Sequence, residues 1–206
     1  MMEKGLIFFL TILFISMTVS QAGAQQATVQ VAPASYTVLN VGLTFTVNIT
    51  VQNVENLYGY GFELYYPNDV LNGTRATEGS FLKTGGISTF FSVANFTDNY
   101  NATDGLLNVF CSRLGNVQGV NGSGTLVTVT FESTSTNALS ETLQLANVDL
   151  SDPTPAVIPS TTVNGEVRVI PEFSAALILP FLIISASAAL ILKKEKKKLE
   201  KSSIAL

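Results

Sequence analysis

The residue types that most often carry enzymatic chemistry are scarce in this chain. Its 206 residues include no His, a single Cys and 15 acidic side chains. Without an imidazole, Ser-His-Asp and Cys-His nucleophile chemistry and His-containing zinc sites are excluded. The lone Cys111 can form neither an internal disulfide nor a thiolate metal cluster. The acidic side chains are therefore the remaining candidates for catalysis or metal binding.

These acidic side chains match neither a catalytic nor a calcium-binding pattern. Asp98, Asp104 and the pair Asp149/Asp152 are the groupings that come nearest to one. None has the alternating oxygen ligands and terminal Glu of an EF-hand loop, so solvated loop carboxylates are the better interpretation. Two carboxylates could hydrolyse a glycoside without His, but nothing in the sequence places two of them across a cleft. We therefore expect a protein that is not an enzyme and that holds no metal or cofactor of its own.

The net charge of −4 combines two unequal parts. Residues 25–172 carry four basic and twelve acidic side chains, a balance of −8, and the residues from Lys193 onward carry six lysines and two acids, a balance of +4. Nucleic-acid binding needs a clustered basic face, and four scattered bases do not supply one. The acidic body predicts a partner other than nucleic acid.

The first 24 residues are typical of a secretory signal peptide. Lys4 gives the positive start, residues 5–19 are an apolar run, and residues 22–24 read Ala-Gly-Ala, a small-x-small cleavage site. An N-terminal membrane helix is the alternative, but the run is short for a span. The mature chain would begin near Gln25.

The C-terminal part contains an uncharged stretch that is long enough to cross a bilayer. Phe173 to Leu192 is twenty residues, and at about 1.5 Å per residue it covers a hydrocarbon core of ~30 Å. A lysine cluster begins at Lys193, so the positive-inside rule predicts that residues 193–206 are a cytoplasmic tail. The body would then be extracellular, in a single-pass type I arrangement at the cell membrane.

Residues 171–173, which open this stretch, read Pro-Glu-Phe. This tripeptide, followed by an apolar span and a lysine cluster, resembles the PEF-type C-terminal sorting signals of archaeal surface proteins. The resemblance implies that an archaeosortase-like processing enzyme removes the tail and transfers the protein to a lipid. Residues 171–192 are therefore either a retained transmembrane helix or a processed signal.

Residues 25–170 have the size of one domain and the patterning of β-strands. Thr44 to Val51 alternates strictly between polar and apolar residues, and the segments 125–131 and 165–170 repeat the pattern. Such runs recur roughly every ten to fifteen residues between Asn, Gly and Pro turn signals. We predict an all-β jelly-roll sandwich of two antiparallel sheets with about nine strands.

The segment Glu55–Leu71 carries the most informative pattern in the body. With a period of two, the tyrosines at 58, 60 and 66, with Phe62 and Leu64, point inward; Gly59, Gly61, Glu63 and Tyr65 point outward. The segment resembles the third strand of cohesin domains, which usually ends in Tyr-Asp-Pro where this chain has Tyr66-Pro67. Residues 29–33, 41–51, 79–86, 104–110, 124–131 and 164–169 follow in the order of other cohesin strands and loops.

The resemblance implies a binding function. Cohesins hold dockerins, small calcium-loaded helical modules of polysaccharide-degrading enzymes, and so assemble enzymes on a scaffold or cell surface. It places the dockerin surface on the outward face of the third, fifth and sixth cohesin strands, with Gly59, Gly61, Glu63, Tyr65, Phe96, Asn108, Phe110 and Ser112 as candidate partner-binding residues. A structural or adhesive envelope protein without a dockerin, and a module that binds carbohydrate directly, remain the alternatives.

The register of that surface decides the roles of Phe110 and Cys111. The alternation of residues 106–112 puts Phe110 outside, where an exposed aromatic side chain can anchor an interface, and puts Cys111 inside as a small buried hydrophobe. A slip of one residue would exchange the faces and bury Phe110. An intermolecular disulfide is the alternative for Cys111.

Five Asn-x-Ser/Thr sequons are potential glycosylation sites on an exported body. They are Asn48, Asn72, Asn95, Asn101 and Asn121. Asn48 lies on the polar face of its predicted strand, and Asn72, Asn101 and Asn121 lie in turn-like sequence. The pattern predicts a glycoprotein.

Overall fold

The body of the chain folds into two sheets that face each other across one apolar core. The computed structural model describes residues 26–93, 96–135, 140–170, 180 and 182–194. The predicted signal peptide, the Pro-Glu-Phe motif and residues 195–206 of the predicted tail lie outside the described residues.

Eleven strands in the described residues make up the two sheets. In spatial order, the five-stranded sheet contains β10 (Ser160–Val163), β1 (Ala27–Ala32), β3 (Thr44–Leu57), β8 (Val120–Ser133) and β5 (Leu71–Glu78). The six-stranded sheet contains β2 (Ser35–Val38), β11 (Gly165–Val169), β9 (Glu141–Ser151), β4 (Gly59–Pro67), β7 (Asp104–Arg113) and β6 (Thr89–Val93). A 3-10 turn, Phe81–Lys83, follows β5.

The two-sheet sandwich is as predicted, but the number of strands and the purely antiparallel pairing are wrong. Strand β1 pairs with β10 in parallel, and β2 pairs with β11 in parallel. The reason is that two segments of chain, β1–β2 and β10–β11, cross side by side from one sheet to the other. Gly165 lies at this crossing, where an added Cβ would come within 2.6 Å of Val31. The short strands β2 and β10 sit at sheet edges and carry too few alternating residues to be read from the sequence.

Alternation of side chains builds the core, as the sequence predicts. Phe45, Val47, Ile49 and Val51 of β3 are buried, and so are Tyr60, Phe62, Leu64 and Tyr66 of β4. Burial of this kind contributes roughly 25 cal/mol per Å² of apolar surface. Strand β4 lies between β9 and β7 in the interior of the six-stranded sheet, so its outward side chains occupy the middle of an open surface.

A separate helix covers residues 182–194 and has exposed side chains throughout. No helix in the described part of the chain is both long and apolar enough to cross a membrane.

Candidate partner-binding face

The pairing of β4 with β7 determines which predicted residues share a surface. Gly59 lies opposite Ser112, Gly61 opposite Phe110, and Glu63 opposite Asn108. Because partners across an antiparallel pair point to the same side of the sheet, these side chains share the outer face of the six-stranded sheet. Phe110 is 50% exposed there, and Cys111 is fully buried on the other side. The one-residue slip that would have buried Phe110 does not occur.

Phe110 has an aromatic neighbour that the sequence analysis missed. Phe90 on β6 lies opposite Ser112, is 55% exposed, and has its ring centroid 6.5 Å from that of Phe110. The adjacent Phe91 packs against the core instead. The signal was available, because two consecutive Phe residues in one strand must point to opposite faces. We call the outer surface of β4, β7 and β6 the β4–β7–β6 face.

The two glycines of this face differ in accessibility. A Cβ on Gly61 would meet Val109 O at 3.7 Å and the Phe110 ring at 3.8 Å, both ordinary contacts. A Cβ on Gly59 would lie 3.0 Å from Ser151 Oγ and 3.3 Å from Cys111 O. Gly59, which the sequence predicts to point outward, is buried between the flanking strands and therefore offers no bare backbone to a partner. Gly61 alone leaves room beside Phe110.

Glu63 is the centre of a polar network on the same face. Tyr65 Oη donates to Glu63 Oε2 at 2.9 Å, and Asn147 Nδ2 donates to the same oxygen at 2.7 Å. The hydrogen bond to Glu63 raises the pKa of Tyr65 to about 12. Glu63 Oε1 accepts no hydrogen bond from the described residues. The network therefore fixes the orientation of the carboxylate and leaves one oxygen open to a ligand.

The surroundings of Glu63 add an aromatic ring and a second negative charge. Tyr100 packs edge-on against Tyr65, with ring centroids 5.7 Å apart, and is exposed. Asp149 of β9 lies opposite Gly61 and is also exposed. The outer faces of β4, β7 and β6, which are fully described, carry no Lys or Arg. The face therefore combines aromatic rings with uncompensated acidic groups.

Phe96 does not belong to this face, which corrects its prediction as a partner-binding residue. Its ring packs on Tyr66 and Phe131, at centroid distances of 6.1 and 6.4 Å. It also occupies the space above Gly73, where an added Cβ would lie 1.8 Å from the ring. Phe96 thus closes the core beside β5, because Gly73 leaves a gap that an aromatic ring fills.

Cys111 is fully buried, and its thiol lies beside a cluster of polar side chains. Its thiol lies 3.5 Å from Glu78 Oε1, which also accepts a hydrogen bond from Thr89, and Lys83 pairs with Glu78 Oε2 at 2.7 Å. Burial and the nearby Glu78 charge raise the pKa of Cys111 to about 12. Burial opposes ionisation of Glu78, but hydrogen bonds from Lys83, Thr89 and Cys111 outweigh it and lower the Glu78 pKa. The thiol therefore stays protonated and enclosed.

Three of the carboxylates considered for calcium binding, Asp98, Asp104 and Asp152, accept hydrogen bonds from neighbouring protein groups. Asp98 accepts hydrogen bonds from Tyr66 Oη and from Gly73 N, and Asp152 accepts them from Thr154 and Ala156. Asp104 accepts them from Asn101 and Thr103. Among the described residues, no group of three or more acidic, Cys or His side chains could hold a metal ion.

Three of the predicted glycosylation sites that the structure describes belong to the other sheet, and the fourth, Asn101, follows Tyr100 at the border of the β4–β7–β6 face. Asn48, Asn72 and Asn121 are on β3, β5 and β8 of the other sheet, and Asn101 is in the turn before β7. Asn95 lies outside the described residues. Asn72 and Asn121 are exposed, whereas Asn48 is half-buried and accepts a hydrogen bond from Thr128 at 2.7 Å. Asn101 is engaged with Thr103 and Asp104 on both its oxygen and its nitrogen.

Comparison with known proteins gives one family and several solved structures. A family model for the cohesin domain matches residues 27–169. A non-cellulosomal cohesin from the archaeon Archaeoglobus fulgidus is 21% identical, with a TM-score of 0.55 over 74% of this chain and 96% of that one. No curated protein matches the chain.

Two further relatives were solved in complex with dockerins. The sixth cohesin of Acetivibrio cellulolyticus scaffoldin B, with a Cel5 dockerin, is 16% identical and has a TM-score of 0.56 over 71% of this chain and all of that one. The Coh-OlpA–Doc918 complex of Clostridium thermocellum gives 12% identity and a TM-score of 0.56 at the same coverage. Cohesin domains are binding modules without catalytic activity, which agrees with the interpretation of this chain as a non-enzyme. Because the family model spans the whole two-sheet body, the chain belongs to the cohesin domain family.

Proposed function

We propose that this protein is a surface-displayed cohesin that captures a dockerin-type protein module on its β4–β7–β6 face. The observation that carries the proposal is the exposed Phe90–Phe110 pair beside the oriented Glu63 carboxylate. Relatives solved with bound dockerins support this class of partner. The function would be to hold dockerin-bearing enzymes, such as those that degrade polysaccharides, at the cell surface.

The aromatic pair would supply most of the affinity. Phe90 and Phe110 expose about half of their surface to water, and covering that surface is favourable by roughly 25 cal/mol per Å². Aromatic side chains near the middle of an interface are the residues whose truncation costs most. Gly61 adds a recess beside the Phe110 ring, so a partner side chain can pack against both.

The polar network would supply orientation. A partner that offers a Lys, Arg or hydroxyl donor to Glu63 Oε1 would make a charge-assisted hydrogen bond with a carboxylate that is already held in place. Asp149 on the neighbouring strand strengthens the attraction for a basic group. We therefore expect the captured module to present an apolar side chain next to a basic one. Any calcium in the complex would be carried by the partner.

The C-terminal region would hold the body at the membrane. Residues 173–192 contain no charge, and the helix 182–194 exposes the side chains of Leu182, Ile183, Ile184, Leu190, Ile191 and Leu192. Such side chains are more stable in lipid than in water. We propose a single-pass type I anchor with an extracellular, N-glycosylated body, or lipid attachment after processing by an archaeosortase-like enzyme.

Affinity capture with the full-length protein in detergent micelles tests the partner class. The bait is exposed to the proteins secreted by the producing cell, with calcium or with a chelator, and bound proteins are identified by mass spectrometry. We expect dockerin-bearing proteins in the presence of calcium, and their loss when Phe90→Ala and Phe110→Ala are combined. Thr130→Ala, on the outer face of β8 in the other sheet, is the control. Capture that is indifferent to the two Phe substitutions would contradict the proposal.

Direct carbohydrate binding is a second candidate because the face carries exposed aromatic rings. Its geometry is unfavourable, since Phe90 and Phe110 are tilted by 58° and Tyr65 and Tyr100 by 65°. Neither pair offers the common plane on which sugar rings stack. Retention on insoluble polysaccharide that is lost in Tyr65→Ala/Tyr100→Ala would favour this candidate. Failure of both assays would leave a structural or adhesive envelope role.

A further inference from the structure

One end of the sandwich carries a cluster of exposed apolar side chains that the partner-binding proposal does not use. Leu39, Val41 and Leu43, in the turn between β2 and β3, are 53%, 59% and 39% exposed, and Ile170 after β11 is 48% exposed. We call these four residues the apolar tip. Four large apolar side chains together at one end of a domain mark a contact with something other than water.

Hydrogen bonds to Ser133 at the end of β8 hold the backbone of the turn that carries most of the tip. Gly42 has a φ of +77° and donates its N–H to Ser133 O at 2.8 Å. The side chain of Ser133, which is buried, donates to Asn40 O at 2.6 Å and accepts from Leu43 N at 3.1 Å. These bonds hold the turn against β8, so its apolar side chains are displayed outward and cannot collapse onto the core.

The tip lies where the chain leaves the body toward its apolar C-terminal segment. Ile170 N donates to Val38 O at 3.1 Å, which places the end of β11 beside the start of the turn. Only residues 171 and 172 separate Ile170 from Phe173, the first residue of the uncharged stretch. Three residue steps reach at most ~11 Å even when fully extended. A bilayer that contained residue 173 would therefore be within reach of the tip.

We infer that the apolar tip is a membrane contact, inserted into the headgroup region of the bilayer that holds the C-terminal segment. The inference rests on the proposed membrane anchor. The headgroup layer is about 5–8 Å thick on each side, so a tether of at most ~11 Å allows the tip to reach into it. Apolar groups lie ~5–10 Å deep at this boundary.

The charges around the tip favour an apolar contact over an electrostatic one. The sequence has no charged residue between Lys4 and Glu55, so the turn has none. Arg168 of β11 lies two residues before Ile170, but it is paired with Glu166 at 3.1 Å. The other charged side chains in neighbouring elements are acidic, Asp69 before β5 and Glu132 near the end of β8. Acidic groups gain nothing from anionic lipid. The contact should therefore be insensitive to salt, unlike the binding of a basic surface.

Fluorescence quenching in proteoliposomes tests the inference on the full chain. Val41→Cys is labelled with an environment-sensitive fluorophore and reconstituted in phosphatidylcholine vesicles with or without brominated acyl chains. Val157→Cys is the control, since this valine is also exposed (75%, against 59% for Val41) and lies beside Ser151 at the opposite end of the sandwich. Cys111 is buried with a raised thiol pKa, so the unsubstituted protein should take up no label.

We expect brominated lipid to lower the emission at position 41 by about twofold and to leave position 157 unchanged, because a side chain ~5–10 Å into the boundary meets the acyl chains. The loss should persist at about 1 M salt, where the Debye length is ~3 Å. Equal emission at both positions in protein that floats with the vesicles would overturn the tip contact and leave the anchor intact. Protein that does not float would overturn the anchor and the tip contact together.

Discussion

The outer faces of the two sheets are both built from residues that favour strands, but the residue types differ. The outer face of the five-stranded sheet carries threonines, with Thr44 and Thr46 on β3 and Thr128 and Thr130 on β8. The six-stranded sheet turns out Phe90, Phe110, Tyr65 and Glu63. Both sets suit a strand, because β-branched and aromatic residues are favoured there.

The difference shows for which sheet the outward residues can be explained by strand formation alone. Threonine satisfies strand propensity and leaves much less apolar surface in water than Phe does, so strand formation alone explains the residues of the five-stranded face. A Phe at position 90 or 110 adds nothing to the core and exposes apolar surface that Thr would not. Departures from what folding requires are expected where a surface has a function. The comparison therefore favours the six-stranded sheet as the site of the proposed partner binding.

The largest expected effect comes from removing the aromatic group that distinguishes the two faces. Phe110→Ala should weaken partner binding by about 2 kcal/mol, roughly 30-fold, as truncation of a central aromatic does. Titration calorimetry with an isolated dockerin-type partner measures this effect. The domain should stay folded and lose no more than about 1 kcal/mol of unfolding free energy, because the side chain is half exposed. Thr130→Ala, on the opposite face, is the control, and an equal loss there would end the distinction between the faces.

A tenfold effect is expected from the carboxylate. Glu63→Gln keeps the shape but removes the charge, and a hydrogen bond to a charged group is worth about 1.5 kcal/mol, or roughly tenfold in Kd. The same substitution should lower the pKa of Tyr65 from about 12 toward its ordinary value, because its hydrogen bond to the Glu63 carboxylate raises it. Tyr65 would then lose its proton at lower pH in the variant, which NMR of the ring can follow. An unchanged Tyr65 pKa would contradict the network.

A smaller effect is expected on folding stability, where replacement by Ala should distinguish Gly59 from Gly61. Gly59→Ala should destabilise the fold by about 1 kcal/mol, since its Cβ would crowd Ser151 Oγ and Cys111 O. Gly61→Ala meets only ordinary contacts and should be neutral or stabilise by about 0.5 kcal/mol through the unfolded state. Urea unfolding of both variants measures the contrast. Equal effects would mean that Gly59 is as open as Gly61.

No effect on partner affinity is expected from the glycan sites on the other face. Asn72→Gln and Asn121→Gln should lower the mass of the protein isolated from its own cell and leave dockerin-type binding unchanged, because both residues belong to the five-stranded sheet. Mass spectrometry and the same calorimetry check this prediction. A change in affinity would place the partner, or part of it, on the hydroxyl-rich face.

The alternation of polar and apolar residues along β4 and β7 was enough to predict which of their side chains share the outer face. The opposition of Gly61 to Phe110 follows from two period-two patterns, and it needed no knowledge of other elements. The cover over Gly59 comes from Ser151, 92 residues away, and no local pattern contains that contact. The position of Phe96 could not be predicted for the same reason, because the gap at Gly73 that its ring fills belongs to the other sheet. The parallel edge pairs likewise depend on two distant segments that change sheets together.

The parallel pairing of β11 with β2 has a mechanical consequence for a tethered module. In the proposed arrangement, tension between a captured enzyme and the anchor would enter the body at Ile170 and run along β11, which is hydrogen-bonded to β2 on one side and to β9 on the other. Pulling along the strand strains both ladders in shear, so their bonds resist together instead of opening one at a time. Since β2 continues into β1 through two residues, part of the force passes to the second sheet. The C-terminus is thus a point from which the domain can be pulled without peeling.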